Sequence, residues 1–547
     1  MDFINIRNNG LLILLFLFAS SCNQNSKKSV IGVVSSATPE ASKVGEQIFL
    51  KGGNAIDVAV AVSFALGVTE PAMSGLGGGT QVLLSLNNGK PFTINGTTLS
   101  PANTPTNIID TLTYHRRSTI PSTVKVLDYL WRNYGSGKVT WSELLEPAIA
   151  LSENGFAVGK FREKVYKQYE DKLLKSNFNM SFFLIDGNRI PIEGEIIKQP
   201  ILASTLKRLA KFGANDFYTG TIAKDIIKDM ETHNGWISIS DLQNFPEPKE
   251  IASLETTYKG MNVFSQPPPC GGWTMLLALN LMEKLSENKK LSNTNLMEAL
   301  YLAHNDRDLY PITDLVNYDS IVSVKLSKDY SEKLLRNNPI SNKQKQIKES
   351  GETTHFSVVD SYGNAIAVTS SINAYFGALA ASNNLGFLYN TYMDDFVFED
   401  LNHPFAIRPN AMAYSSMSPT IVQNNDETVL VIGSPGSERI ISSVAQMTAK
   451  WIENKNIEHI VKEPRIHVSN KKVYFENKKD STIIHEEVLK SFNFKIKTPS
   501  EKLVIEKGKN AYYGGIHVIA KENGEWVGVA DPRRDGVSII AKKQLNE

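Results

Sequence analysis

Residues Ala55 to Val68 carry one charge, Asp57 at the start, and then almost nothing polar. A helix of that composition is apolar on nearly every side, so it has to be buried. Asn54 supplies an N-cap and Asp57 a first-turn carboxylate, both suited to the start of a helix. The chain is large enough to wrap it: 547 residues with 41% hydrophobic content make one large or two ordinary domains. Upstream, Ile31 to Ser35 has the form of a strand. Pro39 opens a helix whose apolar face is Ala41, Val44 and Ile48, and Gly52-Gly53 ends it. Downstream, Ser74-Gly75-Leu76-Gly77-Gly78-Gly79 lacks a GKS/GKT ending and dinucleotide spacing. It reads as close backbone packing rather than a phosphate cradle.

Net charge is +1, from 58 basic and 57 acidic residues, which gives no sign of a nucleic-acid partner or a charged tail. Arg7 precedes a short apolar run, Leu11 to Phe18, too short to span a bilayer and shaped like a signal-peptide core. It ends Ala19-Ser20-Ser21-Cys22, so residues 1–22 read as a lipoprotein-type signal and Cys22 as the lipidated residue of an exported, membrane-anchored protein. Plain secretion is the competing reading. Residues 23–30 read as a tether. Only Cys270 would remain in the exported domain, which therefore holds no internal disulfide. Cys270 has no motif partner and reads as a small buried residue. No cofactor and no metal are expected, because no His/Cys cluster has ligand spacing.

The chemistry gathers near Thr353. A polar, Lys-rich run from Ser341 to Ser350 reads as a loop. From Thr353 the chain reads as a strand, then a tight turn at Asp360-Ser361-Tyr362-Gly363-Asn364, then a second strand from Ala365 to Ser371. A threonine at a strand start is ordinarily only a good β-former. As a nucleophile it needs a base. One solution makes it the first residue of a chain, so that its own amine, with a pKa of about 7.7–8, takes the proton. That requires a backbone cut just before it, between Glu352 and Thr353.

Thr353-Thr354-His355, Ser371-Ile372-Asn373, Met393-Asp394-Asp395-Phe396, Ser415-Ser416-Met417-Ser418-Pro419 and Gly433-Ser434-Pro435-Gly436 occur in this order. Together they resemble the γ-glutamyltransferase (γ-glutamyltranspeptidase, glutathione hydrolase) family of N-terminal-nucleophile hydrolases. The likeness runs from about Gly32 to the C-terminus. It implies an α+β, four-layer αββα sandwich made as one precursor. A large segment, 31–352, and a small one, 353–547, would separate by self-cleavage and stay associated.

The resemblance also implies roles. Thr353 would be nucleophile and base, with Thr354 and Ser371 as supporting hydroxyls. Asn373 and Asp395 would hold the amino-acid end of the substrate, and Ser415 and Ser416 its α-carboxylate. The amides of Gly436 and Ser437 would form the oxyanion hole. The strand Thr428 to Ile432 leads into that glycine turn, and a helix with Ile440, Val444, Met447 and Trp451 on one face follows. A helix start points its N–H groups outward and suits an anion, at roughly 2.7–4 kcal/mol per donor. Asp306-Arg307 and Arg533-Arg534 read as structural ion-pairing residues.

Two positions depart from the family. Thr97-Thr98 stands where an Arg-Glu pair is usual, so the arginine that clamps the substrate carboxylate is missing. Tyr392 stands where a glutamate precedes Met-Asp-Asp. Arg116 and Arg117 are the sequence's candidates to replace the arginine. The implied substrate is a γ-glutamyl amide such as glutathione, with water or an amino acid or peptide as acceptor. Two alternatives stay open: the same chemistry on another donor such as poly-γ-glutamate, and a non-catalytic binding module of the same fold.

Overall fold

The structure, a computed structural model, describes residues 28–106, 111–287, 289–312, 314–337, 351–469, 471–477, 492 and 494–544. Cys22, the signal segment and the loop at 341–350 lie outside the described residues. Two antiparallel sheets form the centre. The first runs in the order Val537–Gln544, Lys28–Ser36, Glu352–Asp360, Ala365–Asn373, Gly79–Ser85, Phe92–Asn95 and Lys249–Ala252. The second runs Glu525–Ala530, His517–Glu522, Glu427–Gly433, Thr420–Asn424, Met261–Ser265 and Leu254–Tyr258.

Strand alternation sorts the side chains into layers. Val33, Leu83, Val359 and Ala367 of the first sheet meet Phe264, Ile421, Val431 and Ile519 of the second, forming the layer between the sheets. Their neighbours Val34, Val82, Val358 and Val368 turn the other way, onto the helices Pro39–Leu50, Ala55–Thr69 and Trp141–Asn154. Likewise Leu430, Ile432 and Val518 face the helices Gly272–Ser286, Asn293–Leu309 and Arg439–Asn454. The result is the four-layer αββα sandwich expected above. Ala55–Thr69 is almost wholly buried and starts with the Asn54–Asp57 capping box. Among the described residues no helix is long and apolar enough to cross a membrane.

Segments on both sides of Thr353 supply strands to both sheets. Glu352–Asp360 itself lies between Lys28–Ser36 and Ala365–Asn373. The first strand begins at Lys28, three residues before the expected Ile31. Lys28, Ser29 and Val30, read as tether, pair with Gln544, Lys543 and Lys542. Backbone pairing needs no apolar side chains, so hydropathy misses the end of this strand.

The sheets touch closely where His355 lies against Gly433. A Cβ at position 433 would sit 2.2 Å from the imidazole. In a Thr353→Ala background, Gly433→Ala should therefore cost about 1–3 kcal/mol through overpacking, read from urea unfolding. An unchanged midpoint would show that the sheets do not meet there.

Candidate active site

Thr353 lines a small cavity of about 20 Å³ together with Gly351, Ser371, Asn373, Tyr392, Asp395, Ser415, Ser416, Met417, Ser437 and Ile440. That is room for about one water. Ser371 and Asn373 come from the partner strand, where the pairing slips between Ser370 and Asn373. Tyr392 and Asp395 come from a single 3₁₀ turn. Ser415 and Ser416 precede the strand Thr420–Asn424, and Ser437 sits in the turn before the helix Arg439–Asn454. Residues up to 89 positions apart in sequence, from Gly351 to Ile440, thus converge on one point.

Pleating puts Thr353 and Thr354 on opposite faces. Thr353 shares its face with His355, whose imidazole bonds Thr369 Oγ1 at 2.8 Å and Ser357 Oγ at 3.2 Å. Ser357 in turn donates to the carbonyl of His517 in the second sheet. Burial holds His355 well below the usual imidazole range, so it is neutral. Thr354 faces the helices and does not line the cavity. Its hydroxyl donates to Glu70 Oε2 at 2.7 Å. Ser371 is with Thr353: its Oγ donates to the carbonyl oxygen of Glu352 at 2.5 Å and accepts from the amide of Asn373 at 2.7 Å. The Tyr392 hydroxyl is a further hydrogen-bond neighbour of Ser371.

Gly436 has φ +120° and Ser437 φ +55°. The first favours glycine. The second places a serine in the left-handed region, at roughly 1–2 kcal/mol for an L-residue. Their carbonyls accept from the amides of Arg439 (3.1 Å) and Ile440 (3.0 Å), opening the helix. Ser437 lines the cavity and Gly436 lies just behind it.

The other face of the strand is charged. Glu352 is buried and pairs with Arg439 Nη2 at 2.8 Å and Arg534 Nη2 at 3.4 Å. Burial pushes the Glu70 carboxyl up to about 7, against the opposing pull of Arg534, the Thr354 hydroxyl and Arg162. Arg533, as expected, is structural: it binds Asp531 at 3.0 Å and Glu476 at 2.5 Å. Arg534 reaches the residue before Thr353 instead. Cys270 is buried, and burial pushes its thiol up to about 12, so it stays protonated.

Some side chains stand elsewhere, or do more, than the sequence alone indicates. Asp306 is ion-paired as expected, to Lys325 at 2.6 Å. Arg307 does more: it donates to Ser416 Oγ at 2.8 Å and to the carbonyl of Ser415 at 3.0 Å, bracing the serine pair from behind. Thr97 does not line the cavity. Its hydroxyl donates to Asn95 Oδ1 at 2.6 Å and accepts from Gln81 Nε2 at 2.9 Å. It lines a separate groove of about 590 Å³ with Leu99, Lys249, Asn410 and Met412. Arg116 and Arg117 do not line the cavity either. Arg117 binds Asp394 and Arg116 the carbonyl of Asn234. The absence of ligand spacing in the sequence also hid one three-dimensional group. His115, Asp229 and His233 bring donor atoms within 4.8 Å of one another, away from the cavity. Asp229 already bonds both imidazoles, at 3.0 and 3.2 Å, and the rings stack.

Glu70 gives a pH test. Its folded pKa, about 7, lies above the ordinary 4.5, so the folded chain keeps a proton that the unfolded chain loses between these values. Stability from this group is full below 4.5 and lost as pH rises through about 7, a loss of about 3 kcal/mol. In the Thr353→Ala background, Glu70→Gln should therefore gain Tm relative to Glu70 as pH rises from 5 to 8. Parallel Tm curves would disprove the burial effect.

The gamma-glutamyltranspeptidase family model matches residues 41–541. The "Glutathione hydrolase proenzyme" of Escherichia coli (strain K12) is 32% identical over 476 residues, 80% of each chain. The crystal structure of Helicobacter pylori gamma-glutamyltranspeptidase superposes with a TM-score of 0.52 at 29% identity, over 57% of this chain and 93% of that one. Cephalosporin acylase from Bacillus halodurans superposes with a TM-score of 0.81 over 95% of this chain and 98% of that one; at 22% identity it speaks for the shared N-terminal-nucleophile hydrolase fold alone. With its fold, its cavity and these matches taken together, the chain belongs to the gamma-glutamyltranspeptidase family, a family of enzymes.

Proposed function

We propose that this protein is made as a precursor, cuts itself between Glu352 and Thr353, and then transfers or hydrolyses γ-glutamyl amides through an acyl-enzyme on Thr353. The observation that carries this reading is the convergence of Thr353 with Ser371, Asn373, Asp395, Ser415, Ser416 and Ser437 on one cavity. For the cut, the Thr353 hydroxyl attacks the carbonyl of Glu352. The C–N bond breaks, a C–O ester forms, and the proton moves from oxygen to nitrogen. Ser371, already donating to that carbonyl, stabilises the charge that builds there. Water then hydrolyses the ester, leaving the Glu352 carboxylate and a free Thr353 amine.

In the mature enzyme that amine is the base. Thr353 attacks the amide carbonyl of the donor, and the amides of Gly436 and Ser437 face the oxyanion. The leaving amine takes the proton. Water or an amino acid or peptide accepts the acyl group. Asn373, Asp395, Ser415 and Ser416 hold the amino-acid end of the donor, and Arg307 braces the serines. Thr354 ties the nucleophile strand to Glu70. The interleaving of strands from residues 31–352 and 353–547 supports two chains that stay associated. Cys22 would carry a lipid anchor on an exported protein.

Glutathione is the first donor to test. A second reading, a longer donor such as poly-γ-glutamate, is favoured by Thr97: it is neutral, tied to Asn95 and Gln81, and outside the cavity. Intact mass and N-terminal sequencing should find a chain starting at Thr353 in wild type and none in Thr353→Ala. Ser371→Ala should slow the cut by about a hundredfold, the loss of one oxyanion donor. A wild type that stays whole defeats the proposal. Saturable turnover of glutathione, with poly-γ-glutamate untouched, would remove the second reading.

A further inference from the structure

We infer that Arg439 and Arg534 grip the side chain of Glu352 to position its carbonyl for the cut, and that this grip serves processing and not turnover. The inference rests on the self-cleavage proposed above. A buried carboxylate is costly unless paired, so Glu352 stays where its partners hold it. Those partners are fixed by other elements. Arg439 opens the helix behind the Gly436-Ser437 turn, and its guanidinium lies 4.5 Å from the ring of Tyr512. Arg534 is set by the Asp531 turn, and its guanidinium lies 4.0 Å from the ring of Phe161.

Three separate contacts therefore fix one residue. The side chain is held by two cations. The carbonyl is held by Ser371. The backbone is seated against Asn373: Glu352 pairs with it in the sheet, and a Cβ on Gly351 would lie 2.2 Å from its Oδ1. An intramolecular attack is fast only while the reacting atoms stay in line, and a displacement of about 1 Å can slow it a hundredfold. After the cut, Glu352 ends one chain and Thr353 begins the other. The grip then no longer acts through the backbone on the nucleophile. Arg439 and Arg534 are in this sense positioning residues for the precursor.

The test follows full-length wild type, Glu352→Gln, Arg439→Gln, Arg439→Lys and the Glu352→Gln/Arg439→Gln double variant in cell-free synthesis. The cut is timed on gels, and turnover of a chromogenic γ-glutamyl anilide is measured per cleaved molecule. Each Gln variant should cut about tenfold slower or more, and the double variant no slower than the slower single, because both remove one interaction. Arg439→Lys, which keeps the charge, should recover most of the rate. Glu352→Gln, once cleaved, should turn over within about twofold of wild type, since its shape is kept and its charge is no longer used. Gln variants that cut at the wild-type pace overturn the inference while leaving self-cleavage intact. So does a fall in turnover as large as the fall in cutting, or a double variant that multiplies the single effects. A wild type that never cuts removes the reading beneath it as well.

Discussion

The strand Glu352–Asp360 is buried along its whole length on both faces. It can exist only with a second sheet on one side and a helical layer on the other. Its inner face joins the thin apolar layer that Val33, Leu83 and Val359 make with Ile421, Val431 and Ile519. Towards Thr353 that layer gives way to polar groups: His355 bonds both Ser357 and Thr369, and Ser357 bonds across to the second sheet. The cavity opens at this end, where the two sheets still hold the strand of Thr353 but no longer fill the space with methyl groups.

The pleat of this one strand also separates two kinds of chemistry. Thr353 faces hydroxyls, backbone amides and the Asp395 carboxyl. Glu352 and Thr354 face a buried charged group built from Glu70, Arg439 and Arg534. Opposite charges on one side of the strand compensate there, and around Thr353 the lining is mostly uncharged apart from Asp395. Neutral His355 fits this division: a protonated imidazole next to Thr353 would oppose an amine acting as a base. The buried ion pairs need not add much stability. They fix where the strand begins, at Glu352, immediately before Thr353.

Much of the architecture was legible in the sequence. The helix from Ala55 and the one after Gly436 follow from apolar periodicity and capping residues. The hairpin follows from two strand-like runs about a turn at Asp360–Asn364. Thr353, Ser371, Asn373, Asp395, Ser415, Ser416 and Ser437 were picked out by local motifs, and they share one cavity. Motifs preserve local backbone shape, and each of these residues sits at a strand end or turn that its own neighbours define. Long side chains arriving from elsewhere were not legible. Arg307 and Arg534 looked like partners for adjacent acids, yet they reach Ser416 and Glu352 from helix and turn positions far away in sequence. Thr354 carried the right hydroxyl, but strand parity turned it to Glu70. His115, Asp229 and His233 meet across more than a hundred residues.

In the sequence, periods of 2 and 3.6 state which side of each element must leave water, and the resemblance to the family implied the four layers. The choice of Thr353 came with the family motifs, since a threonine at a strand start is by itself only a good β-former. Only the tertiary structure decided which charges surround the bond before Thr353, and that Thr97, Arg116 and Arg117 stand away from the cavity. An arginine or glutamate side chain spans several ångströms and can turn either way from its backbone. Its partner is therefore set by what the packed sheets and helices bring within reach, and no local pattern records that.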